Sequence, residues 1–230
     1  ADFLDIGGES TRPGAEPVSV AEEQDRVLPV IEGLLAAGVE VPISIDTRNA
    51  AAARAAFAAG ARLFNDVSAL SHDPDSLTFA AESGATVCLM HALGDPRTMQ
   101  DDPTYRHVLI DIFGYLEDRV AACLNAGISR DRIIIDPGLG FGKTLRHNVN
   151  ILAGLSAFQG LGVPVLVGAS RKGFIGKLSG EAVAANRVPG SVAAALIAAG
   201  QGAQIIRAHD VAETRQALTV WTAANGLWDI

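Results

Sequence analysis

The sequence predicts an α/β fold of repeated βα units, on three observations. Short runs that are apolar on both faces recur along the chain, alanine-rich stretches of helical character separate them, and nearly every run ends in a polar residue. Strands buried on both faces belong to parallel sheets covered by helices. No linker, low-complexity tract or charge block interrupts the order, so residues 1–230 read as a single domain.

The strand candidates, in order, are "FLDI" (3–6), "VPISID" (41–46), "RLFNDV" (62–67), "TVCLMH" (86–91), "RIIID" (132–136), "VPVLVG" (163–168) and "AQIIRA" (203–208). Each is short and often β-branched. Helices are predicted over 19–37, 49–59, 75–83, 104–126, 148–160, 190–200 and 211–224. Ser19 with Glu22 reads as a capping box at the first of them. Pro29 inside that helix predicts a kink or a break. Gly38, Gly60, Gly84 and Gly127 follow helix ends, where a left-handed residue needs no Cβ.

Seven strands and seven helices approach the (β/α)8 TIM barrel. The chain enters directly at the strand "ADFLDI", so one βα unit is expected to be lacking at the N-terminus. A doubly wound open sheet is the alternative.

The bulk numbers narrow the function. The 18 basic and 26 acidic residues leave a formal charge of −8, which argues against a nucleic-acid footprint. An anionic substrate must then be met by local cations. Cys88 and Cys123 lack metal-ligand spacing and read as small core residues. With no signal peptide or membrane-length apolar run, the expected location is the cytoplasm.

The polar strand ends are Asp5 with Glu9, Asp46 with Arg48, Asn65 with Asp66, His91, Asp136, Ser170 with Arg171 and Lys172, and Arg207 with His209. In a barrel these converge on the face where active sites sit. One strand-end acid is explained as well by a helix cap; Asp46, Asn65, Asp136 and Lys172 together point to a site.

"IIIDPGLGFGK" (133–143) invites comparison with phosphate loops. The P-loop pattern needs glycine where Pro137 stands, and the dinucleotide pattern needs one where Lys143 stands. The glycines instead let the backbone pass close to a flat ligand or another loop, and Asp136 points into the mouth as an acceptor. Arg171, Lys172, Arg207 and His209 follow the last two strands, a frequent phosphate site in barrels. Acids and an amide on one side and cations on the other suit a neutral, hydrogen-bonding head with an anionic tail. A pterin is such a head: its 2-amino group and ring N–H donate to a carboxylate, and its carbonyl and N5 suit an ammonium. Without ligand, Asp136 and Lys172 are expected to hold water or each other.

Simpler readings apply elsewhere. His91 reads as a packed strand-end histidine, and His72, His107 and His147 carry no role. Trp221 and Trp228 read as helix packing or a dimer contact. Lys143 reads equally well as pairing with an acid on a neighbouring loop.

Six motifs, in order, resemble the dihydropteroate synthase family, the folate-pathway enzymes that sulfonamides target: "DIGGESTRPGA" (5–15), "ISIDT" (43–47), "FNDVSAL" (64–70), "DPGLGFGK" (136–143), "GASRKGFIG" (168–176) and "RAHDV" (207–211). The resemblance implies a homodimeric eight-stranded TIM barrel that joins 6-hydroxymethyl-7,8-dihydropterin pyrophosphate to p-aminobenzoate, giving 7,8-dihydropteroate and pyrophosphate. It implies that Asp46, Asn65, Asp136 and Lys172 hold the pterin. Arg207 would stack on it and, with His209, bind the phosphates. Thr11, Arg12 and Pro13 would belong to a closing loop, and Phe141, Ser170 and Lys172 would border the p-aminobenzoate pocket. Lys172, Arg207, His209 and Arg12 are the implied catalytic group, acting on an SN1-like substitution in which Mg2+ assists the pyrophosphate.

Two departures stand out. The family's Asn-Val-Thr-Pro-Asp-Ser-Phe segment, with the asparagine expected to bind magnesium, is absent from these residues, and Gly173 stands where Ser or Thr is common. The alternatives are a pterin-binding methyltransferase acting on methyltetrahydrofolate, which needs the acids but not the cations, and a catalytically inactive pterin-binding fragment.

Overall fold

The computed structural model describes residues 1–11, 14–94 and 98–227. Arg12, Pro13 and Trp228, named above, lie outside them. Strands β1 (Leu4–Gly7), β2 (Ile43–Asp46), β3 (Leu63–Asp66), β4 (Thr86–Met90) and β5 (Ile133–Asp136) form one parallel sheet in chain order. Strands β6 (Leu166–Val167) and β7 (Ile205–Ile206) pair in parallel beyond it. A parallel bridge from Ile135 to Val165 joins the two sets. The result is an arc of seven parallel strands among the described residues, wound in chain order as in a barrel, and not the mixed order of a doubly wound sheet. β1 and β7 approach each other through side chains, since Arg207 bonds Asp5.

Period-two alternation divides the strand residues between two apolar clusters. Ile45, Phe64, Leu89, Ile135 and Val167 belong to the large core against the helices. Leu63, Cys88, Ile134 and Leu166, with Ile205, form a separate small cluster inside the arc. The same interior positions two residues further along the strands are Asn65, Met90, Asp136, Gly168 and Arg207, so the sequence itself lays a polar mouth over an apolar plug.

Helices α1 (Val20–Ala36), α2 (Ala50–Ala59), α3 (Ser76–Ser83), α4 (Val108–Asn125), α5 (Leu145–Ala153), α6 (Gly173–Ser179), α7 (Val188–Gly200) and α8 (Val211–Ala224) complete the units. α1 runs unbroken through Pro29. That proline is exposed, so the Asp25 carbonyl it leaves without a helical donor turns to water. Only half of the capping box forms: Ser19 accepts the Glu22 N–H, while the Glu22 carboxylate bonds Arg26 at 2.5 Å. α5 starts earlier than the apolar pattern suggests because Thr144 and His147 cap it reciprocally, which gives His147 a structural role. The expected helix 148–160 in fact divides into α5 and a 3-10 segment, Leu155–Leu161. α6 is an element the sequence reading did not contain. No single described helix is long and apolar enough to cross a membrane.

Candidate active site

The strand ends and following loops form one end of a cleft of about 2340 Å³ that continues along β1, β7 and α8. Thr11, Asp46, Asn65, Phe141, Ser170, Lys172, Arg207 and His209 all line it. Asp136 is buried, only 8% exposed, and does not line the cleft itself, but the charges of Lys172 and Arg207 act on it. Residues separated by up to about two hundred positions therefore share one mouth, as the barrel reading requires.

The mouth is organised by charge. Arg207 donates from Nε to Asp5 Oδ2 at 2.6 Å and from Nη2 to Asp46 Oδ2 at 3.1 Å. The Asn65 amide also donates to Asp5 Oδ2, at 3.1 Å. Burial, and then the neighbouring Asp5 carboxylate, push Asp46 up to about 7; Arg207 opposes them. Burial likewise raises Asp136, against the N–H of Gly138 donated to its Oδ1 at 2.7 Å and the charge of Lys172. Lys172 lies over the Phe141 ring, its Nζ 4.0 Å from the centroid. Asp136 and Lys172 are thus near enough for their charges to interact, and each also has a protein neighbour.

This proton affinity has a thermodynamic sign. Asp46 is held above its ordinary 3.8 in the fold, so the folded state binds a proton more tightly than the unfolded chain. Stability is then lost as pH rises from about 4 to about 7, by roughly 4 kcal/mol at most. Asp46→Asn is expected to melt about 5 °C higher than the parent at pH 8, with the difference vanishing at pH 4, in paired thermal scans. Equal differences at both pH values would contradict this.

The glycine loop after β5 serves a neighbouring loop as well as the mouth. Gly138 and Gly142 have φ of 68° and 63° and lie against His91 and Leu93. Lys143 is 3% exposed and donates to Phe141 O at 2.9 Å and His91 O at 3.2 Å, with Nδ1 of His91 at 3.0 Å. Its direct partners are therefore these acceptors, not a neighbouring acid; burial lowers it to about 7, with Asp136 opposing. His91 is indeed packed, edge-on to Tyr115 at 5.0 Å, and burial followed by the Lys143 charge lowers it to about 3. Asn148 closes the loop by accepting the Gly140 N–H and donating to the carbonyls of Lys143 and Thr144.

On the cationic side the structure qualifies one expectation. Arg171 lines the cleft but is paired with Asp210 through Nε and Nη2 of its guanidinium, so its charge is partly answered by the protein, as that of Arg207 is by Asp5 and Asp46. Lys172, Arg207 and His209 line the cleft with it. The Ser170 hydroxyl accepts the His209 N–H at 3.1 Å and meets His209 Nδ1 at 3.0 Å, which ties two of the expected site residues together. Asp66 turns away from the mouth: its carboxylate caps the backbone N–H groups of Ser68 and Leu70. Glu9 holds Arg48 through two 3.0 Å bonds, and Arg26 donates to Gly8 O at 2.7 Å, which fixes the exit from β1 toward Thr11. Among the described residues, no group of three or more His, Cys, Asp or Glu forms a metal site.

The family model described as "Pterin binding enzyme" matches residues 1–209. A dihydropteroate synthase of Escherichia coli (strain K12) is 48% identical over 220 residues, 96% of this chain and 77% of the relative. A Yersinia pestis dihydropteroate synthase solved with a sulfonamide drug complex superposes with a TM-score of 0.94 at 47% identity, over 98% of this chain and 81% of that one. A Xanthomonas albilineans dihydropteroate synthase in complex with 7,8-dihydropteroate superposes with a TM-score of 0.89 at 46% identity, over 98% and 82%.

Proposed function

The chain belongs to the pterin-binding enzyme family, and on that premise we propose that it catalyses the dihydropteroate synthase reaction. It would join 6-hydroxymethyl-7,8-dihydropterin pyrophosphate to p-aminobenzoate. The observation that carries the reading is that Asp46 and Asn65 line one mouth with Lys172, Arg207 and His209, with the buried Asp136 within reach of the Lys172 and Arg207 charges. A methyltransferase acting on a pterin carrying no pyrophosphate has no use for the cationic half.

In this reading Asp136 accepts the pterin 2-amino and ring N–H groups as a charge-assisted pair. Asp46 and Asn65 hold the opposite edge of the ring, and Lys172 donates to its carbonyl or N5. Arg207 and His209 face the pyrophosphate, and the half-exposed Arg207 side chain lies at the open side of the mouth where that group would sit. Phe141, Ser170 and Thr11 border the arylamine.

The substitution is SN1-like. The C–O bond to pyrophosphate breaks first and its electron pair leaves with the oxygen, where the cations stabilise it. The arylamine nitrogen then attacks the methylene carbon of the pterin cation and releases a proton. An arylamine is nucleophilic at neutral pH, so no general base is assigned. The loops orient the amine and exclude water. Magnesium would accompany the pyrophosphate; among the described residues no group of three or more His, Cys, Asp or Glu stands together to hold it.

The reading keeps residues 1–230 as one cytoplasmic domain and takes a homodimer as its assembly. Exposed Ile197 on α7 and Val220 on α8 support self-association there, and light scattering at twice the chain mass is the expected result. Activity itself is tested by p-aminobenzoate-dependent pyrophosphate release with the pterin pyrophosphate and magnesium supplied. Release is expected. Pterin binding without release would leave the inactive pterin-binding reading in its place.

A further inference from the structure

We propose that Asp5, on β1, is the positioning residue of the mouth, holding Arg207 and Asn65 in the arrangement that receives the pterin pyrophosphate. The inference rests on the synthase reading and adds to it a residue outside the pterin, arylamine and phosphate sets.

One oxygen carries the arrangement. Asp5 Oδ2 accepts from Arg207 Nε at 2.6 Å and from Asn65 Nδ2 at 3.1 Å. Arg207 then reaches Asp46 with its other edge. Asp5 thus links Asn65 on β3 and Arg207 just after β7 directly, and Asp46 on β2 through Arg207, residues that otherwise approach the mouth from separate segments of chain. Without it the guanidinium, on a long side chain with many rotamers, would lack the acceptor that fixes its plane.

The second oxygen separates a positioning role from a purely structural one. Asp5 Oδ1 is buried and has no hydrogen-bond partner among the described residues. A group serving only to staple β1 to β7 would do so as well as an asparagine, whose single carbonyl oxygen accepts both donors. Retaining a charged oxygen without a donor is unfavourable in itself. The negative charge is what the amide lacks, and it acts on two partners: it orients the Arg207 cation and it opposes ionisation of Asp46.

The groups whose charges act on Asp46 are Asp5 on β1, Asp66 on β3, Lys172 at the start of α6 and Arg207 after β7. Asp5 and Asp66 make ionisation harder; Arg207 and Lys172 make it easier. An ionised Asp46 is the stronger acceptor for a pterin N–H. Removing the Asp5 charge lets Asp46 ionise at lower pH, so the acid limb of pterin utilisation moves to lower pH.

The test begins with the parent enzyme, whose turnover decides the synthase reading separately. Asp5→Asn is then measured, with Asp5→Ser as a second variant should the amide crowd Arg207, and far-ultraviolet circular dichroism to confirm the fold. The expected result is a KM for the pterin pyrophosphate raised about tenfold or more, a smaller change in the KM for p-aminobenzoate, and an acid limb of kcat/KM displaced to lower pH. A parent-like KM and an unmoved limb in folded variants, with the parent active, would overturn the proposal and leave the function standing. If the parent does not turn over, calorimetric titration with 6-hydroxymethylpterin replaces the rates. Equal affinity and equal pH dependence in parent and variants would then overturn it.

Discussion

Asp136→Asn is expected to lower pterin affinity by about 100- to 1000-fold while leaving the fold intact, read by calorimetry with circular dichroism as the control. The side chain is buried and Oδ1 already accepts the Gly138 N–H at 2.7 Å. An asparagine keeps that bond by placing its carbonyl oxygen there. Its amide nitrogen then takes the place of Oδ2, the oxygen left for Lys172 or a ligand. A donor now faces the donors of the pterin, so attraction becomes repulsion. Because the internal bond survives, stability changes little; the raised proton affinity of Asp136 even favours a neutral group in the empty site. Affinity reduced by less than tenfold would remove Asp136 from the pterin site.

Gly138→Ala tests the scaffold under that carboxylate. A Cβ at this position would stand 1.9 Å from the His91 carbonyl oxygen, and φ is +68°. The obstacle is backbone, at the end of β4 where the His91 N–H is itself bonded to Asp136 O at 3.0 Å. Relief requires β4 and β5 to separate at their C-terminal ends, and the left-handed conformation adds its own cost for a residue with Cβ. The expected destabilisation is about 3 kcal/mol or more, a fall in Tm of about 10 °C in differential scanning calorimetry. Pterin affinity falls with it, because Asp136 moves with β5. A melting temperature within two or three degrees of the parent's, as for an ordinary surface change, would show that the loop yields more easily than its contacts imply.

Much of the fold was legible because its signals are local. The strands declare themselves as short β-branched runs, and the helices by alanine content and the glycines beyond them. α6 was not legible: "GFIGKLS" is seven residues with two glycines, too short for an apolar period and poor in helix propensity. The early start of α5 was hidden because histidine takes the place that glutamate or glutamine holds in a capping box. The start of α7 at Val188 is marked in the sequence by a proline in the first turn.

The site divides in the same way. Asp46, Asn65, Asp136, Lys172 and Arg207 could be found because each ends or follows a strand, and a barrel gathers strand ends. Their partners could not. Lys143 and His91 are 52 residues apart, and nothing near either announces the other. Asp5 and Arg207, 202 positions apart, meet only once the arc has curled far enough to bring its last strand to its first. The pairing of Arg171 with Asp210 required knowing that the loops after β6 and β7 touch.

The two apolar clusters have a bearing on how this protein tolerates change. Leu63, Cys88, Ile134, Leu166 and Ile205 are a plug of side chains grouped apart from the larger helix-facing layer. Free energies of substitutions at sites without shared neighbours add. Gains made by repacking the helix-facing layer would therefore be available to offset losses at the mouth without altering what the mouth recognises. The barrel separates robustness from selectivity in space, and a stabilised outer layer would widen the range of mouths that the same scaffold can carry.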